Sequence, residues 1–370
     1  MEHKRLDSRS SAEIVADNYD ILADTILLRI PAKPLIQLQL VNKHWQSIIF
    51  DRTFIKLHAR CHPKPETSFI IRPNSRDYFY FSLADGTIFP FDLDSLYGKI
   101  LQSCNGLLLL ESRNSKYGRK TYLVHNPTTN RRRTLENERG RHPSVPGVSL
   151  AFDPSKSLHY KLVFVYSSNY SVNVYDSESD TWTSLDNPFP SYANTHFNHG
   201  IYRNNRIYWF RPSSTSYYFD LETRTAGVAP EIEIPKRKRE ELNRNYIIES
   251  GGRVHCVSTY TRPWSRSFLV FELAEDDSGW VEVYRADVDR ILRYMADEDC
   301  DFSVLGFIRG ETIEESSVFF HVPTKILRFG LGKRRFEVVL DLDDYFECGE
   351  WNFQCFRHET FQFVESLAPV

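Results

Sequence analysis

Apolar positions in the first sixty or so residues recur with a helical period, whereas those beyond residue 68 alternate as in strands. Leu22, Ile26 and Ile30 recur on every fourth residue, with Leu27 beside them, which predicts one apolar stripe along a short helix. Asp17, Asn18 and Asp20 offer caps at its start. Pro31 ends it, because the proline ring pushes Ile30 out of the α region. Pro34 suits the first turn of a second helix, whose apolar positions are Leu35, Leu38 and Val41. Asn42 is placed to cap a third helix carrying Trp45, Ile48 and Ile49. Three short helices in about forty residues rarely stabilise themselves without help, and no cysteine cross-links this stretch. Its apolar surplus needs another surface.

From Ser68 onward the chain consists of short β-branched and aromatic runs broken by turn residues. Tyr122 to Asn126 leads through Pro-Thr-Thr to Asn130 and on to Thr134-Leu135. The same aromatic strand, polar turn and second strand return at Val172–Leu185, with Trp182, and at Tyr217–Arg224. Phe268–Val281, with Trp280, and Ile326–Leu340 repeat it again. The turns begin at 126, 176, 220, 272 and 330, a spacing of roughly 50 residues that is the period of propeller blades. Each hairpin follows a further candidate strand, at Gly106–Glu111, Tyr160–Tyr166, Arg206–Phe210, Arg253–Tyr260 and Ser317–His321. Tyr78–Leu83, Asp85-Gly86 and Thr87–Phe91 make a degenerate further unit, so about six blades are expected. Phe356–Val364, with Phe361 and Phe363 alternating, is the candidate strand for closing the ring on the first blade. A β-sandwich is the competing arrangement.

These patterns divide the chain into a polar tail expected to be disordered (1–16), a helical unit (17–57), a linker (58–67) and one large β domain (68–370). Cys61-His62-Pro63 and Pro65 mark the linker. The net charge of −3 gives no global reason to expect nucleic acid or an anionic membrane as partner. Six scattered cysteines behind a polar, charged start point to free thiols in a reducing compartment, cytoplasmic or nuclear. No apolar run approaches the roughly 18 residues that a membrane helix needs.

The order Leu22, Ile26-Leu27, Ile30-Pro31, Leu35, Leu38, Val41 and Trp45 resembles the F-box, the adaptor-docking motif of cullin-type ubiquitin ligases. Asn18 and Tyr19 stand where that family usually has Leu-Pro, and Asn42 where it often has Cys or Ser. Ser103-Cys-Asn-Gly-Leu-Leu108, His125-Asn-Pro-Thr-Thr129, Leu150-Ala-Phe-Asp-Pro154 and Glu249-Ser-Gly-Gly252 resemble the F-box-associated, kelch-like domain of plant F-box proteins. The resemblance implies a non-catalytic substrate receptor. Its helices would dock on an SKP-type adaptor through Leu22, Ile26, Leu27, Ile30, Pro31, Leu35, Leu38, Val41 and Trp45, with a cullin scaffold beyond the adaptor. Its β domain would hold a target protein near a ubiquitin thioester, a contribution made by proximity. A propeller enzyme and an adaptor-bound scaffold without cullin are the competing classes.

Candidate chemistry is sparse. Gly147-Val-Ser-Leu-Ala151 approaches a nucleophile elbow, but Ala151 replaces the last glycine and no helix pattern follows. Gly330-Leu-Gly332-Lys333 lacks the spacing of a phosphate loop, and reads as a hairpin turn. His196 with His199, and Cys348 with Cys355, each lack a second pair at zinc spacing. Asp341, Asp343 and Asp344 read as a solvated acidic turn. No catalytic residue, metal or cofactor is expected. Pro235 to Arg239 resembles a nuclear import signal, with a solvated loop as the alternative. For target capture the candidates are Arg131, Arg132 and Arg133, Tyr192, and Tyr260, Arg262 and Trp264, all expected on exposed connections.

Overall fold

In a computed structural model of the chain, the described residues are 21–62, 67–72, 77–93, 98–112, 120–136, 147–166, 170–190, 197–211, 214–232, 242–262, 265–289, 302–345 and 360–370. The tail at 1–16 and the basic run at 236–239 lie outside them.

The helical unit opens with a π-type turn, Ile21–Ile26, that tightens into a 3-10 turn, Leu27–Arg29. This replaces the single regular helix expected there. Ile30 is extended (ψ 133°), as the residue before a proline should be. Helix α1 (Ala32–Leu38) follows with Pro34 in its first turn, then α2 (Lys43–Ile49), where the Asn42 side chain accepts a bond from the Trp45 amide at 2.8 Å. A further helix, α3 (Arg52–Cys61), is capped by Asp51, whose carboxylate accepts from Thr53 and Phe54. Residues 58–61, assigned to a linker from the sequence, are therefore the last turn of a helix. Asp51 is the signal that reading passed over.

The strands form six four-stranded antiparallel sheets, which sets the sandwich aside. The first blade joins β1 (Thr67–Ile71), β2 (Tyr78–Ser82) and β3 (Ile88–Phe91) to β24 (Thr360–Val364). The second runs β4 (Lys99–Cys104), β5 (Leu107–Ser112), β6 (Thr121–Asn126) and β7 (Arg131–Glu136). The third is β8 (Gly147–Ala151), β9 (Lys161–Val165), β10 (Val172–Asp176) and β11 (Thr181–Leu185). The fourth is β12 (Ile201–Arg203), β13 (Arg206–Trp209), β14 (Ser216–Asp220) and β15 (Ala226–Ala229). The fifth is β16 (Leu242–Ser250), β17 (Arg253–Arg262), β18 (Ser265–Leu273) and β19 (Trp280–Asp287). The sixth is β20 (Ser303–Ile308), β21 (Ser317–Val322), β22 (Lys325–Gly330) and β23 (Arg335–Asp341).

The ring closes where β24 pairs with β1, matching Phe361 to Ile70 and Phe363 to Ser68. Strands β24, β4, β8, β12, β16 and β20 line the axis, and β24 lies beside both β4 and β20. Each blade runs outward from this inner strand. Turns from first to second and from third to fourth strand therefore share one end of the ring, here called the lower end. Blade-to-blade connections share the upper end.

A single blade cannot bury both of its faces, so neighbouring blades do it for each other. Tyr122 meets Phe164 edge-on at 5.0 Å between the second and third blades. Phe69 meets Phe319 at 5.2 Å between the first and sixth, and Phe268 meets Phe320 at 5.3 Å between the fifth and sixth. Each such ring pair adds about 1 kcal/mol beyond its buried area. The fourth and fifth blades meet differently. Asp277 receives Arg203, Arg206 and the Tyr208 hydroxyl from across that seam, while Trp280 donates to the Pro230 carbonyl at 3.1 Å.

The hairpin turns are copies of one device. Asn130, Asp180, Arg224 and Arg334 each take a left-handed backbone (φ 53°, 55°, 57° and 51°) at the fifth position of the turn. The turns begin at Asn126, Asp176 and Asp220, whose side chains accept the amides two or three residues on, or at Gly330.

Candidate docking surfaces

The helical unit fills its own centre with Leu22, Leu27, Leu28, Ala32, Leu35, Ile48, Ile49, Phe54 and Ile55. Two histidines one turn apart, His58 on α3 and His62 at its C-terminal cap, hold the irregular first segment. His58 Nε2 bonds the Ile30 carbonyl at 2.9 Å, and His62 Nε2 bonds the Leu28 carbonyl at 2.7 Å. These carbonyls have no helical partner, so the side chains supply one. Burial pushes the His58 imidazole down to about 4, and the stacked His62 ring adds to the shift.

One side of the unit lies on the lower end of the propeller. Leu158, between β8 and β9, and Leu367, beyond β24, complete the helical core. Arg52 donates to His159 at 2.7 Å, Arg60 to the Ser155 carbonyl at 3.0 Å, and Lys33 lies 3.9 Å from Glu365. The Arg131 guanidinium sits 4.6 Å from the centre of the Phe50 ring.

Elsewhere the unit keeps a few apolar side chains in solvent among polar and charged ones. Leu40 is 83% exposed and Val41 57%, at the turn between α1 and α2, with Pro31 and Ile26 also exposed. Of the nine adaptor candidates, Leu22, Leu27 and Leu35 are interior. Ile30, Leu38 and Trp45 are half-buried, and Ile26, Pro31 and Val41 face outward. Leu40 was missed in the sequence because it falls off the three-residue spacing of its neighbours.

The target candidates separate in the same way. Arg131, Arg132 and Arg133 lie on β7 rather than on a loop. Arg133 pairs with Asp180 at 2.7 Å and covers Tyr175, tying the second blade to the third, while Arg131 packs on Phe50. Tyr260 is buried with Cys256, Leu269 and Phe271 instead of being exposed. Trp264 and Tyr192 lie outside the described residues, as does the Arg262 side chain. The flanking aromatics Phe189 and Phe197 are core residues, stacked around Trp209 and Tyr217. Among the described candidates, Arg131, Arg133 and Tyr260 thus make contacts within the protein.

The candidate chemistry resolves into structure. Ser149 is buried on β8 and accepts the Trp209 indole at 3.2 Å. Gly330 to Lys333 forms a hairpin turn, and Asp341 caps the turn Leu342–Asp344 while pairing with Lys325 at 2.7 Å. Among the described residues no group of three or more His, Cys, Asp or Glu is arranged to hold a metal ion. His196, Cys348 and Cys355 lie outside them. No helix among them is long and apolar enough to cross a membrane.

Ring and appendage together define a class: a six-bladed β-propeller carrying a small helical unit on its lower end. The KIB1-4 β-propeller family model matches residues 80–320, and the chain belongs to that family. An F-box protein of Arabidopsis thaliana is 28% identical over 408 residues, spanning 98% of this chain and 94% of the relative. A putative F-box/kelch-repeat protein of the same plant is 27% identical over 173 residues, covering 44% of this chain and 41% of its own. Among solved structures, the β-propeller domain of the Trilobed protease from Pyrococcus furiosus aligns over 76% of this chain and 96% of its own, with 10% identity and a TM-score of 0.41. TolB from Acinetobacter baumannii aligns over 74% of this chain and 62% of its own, with 11% identity and a TM-score of 0.38.

Proposed function

We propose that the chain is the substrate-recognition subunit of an SKP–cullin–F-box ubiquitin ligase. The observation that carries this reading is the helical unit itself. Leu158 and Leu367 of the β domain complete its core, while Leu40, Val41, Ile26 and Pro31 stay exposed. A relative named as an F-box protein matches along nearly its whole length, which supports reading that surface as the adaptor-docking face. Residues 21–61 then serve as the F-box, with Leu22, Leu27 and Leu35 shaping the surface from within. The cullin is reached through the adaptor.

Target capture falls to the propeller, on the upper end away from the helices. Five of the blade-to-blade connections there, 137–146, 186–200, 230–241, 288–302 and 342–359, are longer in sequence than any of the lower hairpin turns. Long connections on a packed scaffold are where binding groups are carried. The receptor acts by proximity, raising the effective concentration of a target lysine at the ubiquitin thioester, and none of its side chains enters the bond chemistry. Such a receptor works in the cytoplasm or nucleus.

Reconstitution tests the reading. The full chain should co-elute with a plant SKP-type adaptor and, through it, with the cullin. Failure to bind any adaptor would refute it, and binding that excludes the cullin would leave a scaffold instead.

A further inference from the structure

The Asn126 side chain departs from the hairpin repeat in one detail. The third and fourth blades open this turn with Asp176 and Asp220, while the second opens it with Asn126. All three use Oδ1 to accept turn amides. The other carboxylate oxygen faces a cation in both aspartates, Lys161 at 3.1 Å and Arg206 at 2.9 Å. The corresponding atom of Asn126 is a donor, and it faces two carbonyls. Nδ2 bonds Ser366 O at 2.9 Å and Ala368 O at 2.8 Å, with the side chain fully buried. An aspartate here would aim negative charge at two acceptors.

The segment so held, residues 365–370, meets the second and third blades as well as the helical unit. It continues from β24 of the first blade. Ser366 takes a bond from Ala368 N on its hydroxyl and gives its own amide to Thr128 Oγ1. It lies so close to Gly106 that a Cβ there would collide with it. Ala368 is buried in the core shared by the second and third blades, with Val370 packed against that core. Leu367, one residue earlier, points the other way into the centre of the helical unit. Alternate residues of one short run thus enter two different cores.

We propose that residues 365–370 are a clasp that fixes the orientation of the helical unit on the propeller, with Asn126 as its catch. Asn126 and Leu367 are positioning residues. In the receptor reading they would set the distance and angle between adaptor and target. The clasp itself does not depend on that reading, and it is tested without adaptor or target.

Zero-length carbodiimide cross-linking of the full chain, read by peptide mass spectrometry, supplies the test. Lys33 on α1 and Glu365 at the start of the clasp are close enough to couple, and report whether the clasp holds the helical unit. Lys161 with Asp176, Lys325 with Asp341 and Lys120 with Glu111 report the blades alone. Asn126→Asp and, independently, Leu367→Ser should lose the Lys33–Glu365 product and retain the three blade products. Retention of the Lys33–Glu365 product at wild-type yield in both variants would overturn the proposal. So would loss of the blade products in both, which would make the segment part of the ring's own stability. If only Asn126→Asp loses the blade products, the turn has failed and Leu367→Ser decides.

Discussion

The two sides of the helical unit are built from the same few turns and have opposite fates. Toward the ring, Leu158 and Leu367 complete a closed apolar centre, and Arg52, Arg60 and Lys33 each find a partner on the propeller. Away from it, Leu40 and Val41 stand in solvent at a tight turn. In the proposed receptor reading, a unit too small to bury all its apolar surface packs part of it on its own domain and offers the rest to the adaptor. On that reading stability and binding fall to different residues, and substitutions should separate them.

The sharpest separation is expected from Leu40→Asp combined with Val41→Asp. Both side chains are outward, so the melting temperature should be unchanged. Adaptor affinity should fall by on the order of 4 kcal/mol, roughly a thousandfold in Kd, as measured by titration calorimetry. A melting temperature that drops with affinity would mean that the two sides are not independent. Leu35→Ala probes the inner side. A fully buried leucine truncated to alanine costs about 3 kcal/mol, so helical circular dichroism should melt earlier, and adaptor binding should weaken only to the extent that the unit unfolds.

Acid offers a third way to act on the inner side. His58 titrates at about 4 in the folded chain against an ordinary value of 6.5, so it is buried neutral. The unfolded state then binds the extra proton first. The contribution of His58 is complete above pH 6.5 and is lost as the pH falls toward 4, amounting to about 2 to 3 kcal/mol at the lower limit. His321 in the sixth blade is pushed down to about 4 by burial and adds a loss of the same sign in the same window. Denaturant melts between pH 7 and 4 should show both, and His58→Gln should flatten the curve by the His58 share. The smallest effect belongs to Arg133→Ala. Its pair with Asp180 lies at the surface, where solvent screens it, so blade stability should barely change, as read from chemical denaturation.

Much of this architecture was legible because hairpins write themselves locally. The turn at Asn126, Asp176, Asp220 and Gly330 repeats its polar residues and left-handed fifth position at a readable period, and Phe361 with Phe363 announced the closing strand. The inner strands were mostly passed over. Ile201–Arg203 is three residues long, and Gly147–Ala151 is buried on both sides, so neither shows an alternating pattern. The surroundings of the capture candidates were illegible for a related reason. Arg131, Arg133 and Tyr260 have the composition of a binding rim, but composition does not reveal that Phe50, Asp180 and a buried cluster already occupy them. Likewise, the F-box-like spacing located the helical unit without telling its interior from its surface. Leu35 and Val41 look equivalent in a periodic pattern and are opposite in the fold.

Hydrogen exchange of the full chain with and without a plant SKP-type adaptor tests the division of the helical unit most directly. The account predicts that adaptor slows exchange through residues 36–41, around the exposed Leu40 and Val41, and leaves the amides at 155–159 and 366–368 unchanged. Protection confined to the propeller, or no protection of residues 36–41 at saturating adaptor, would contradict it.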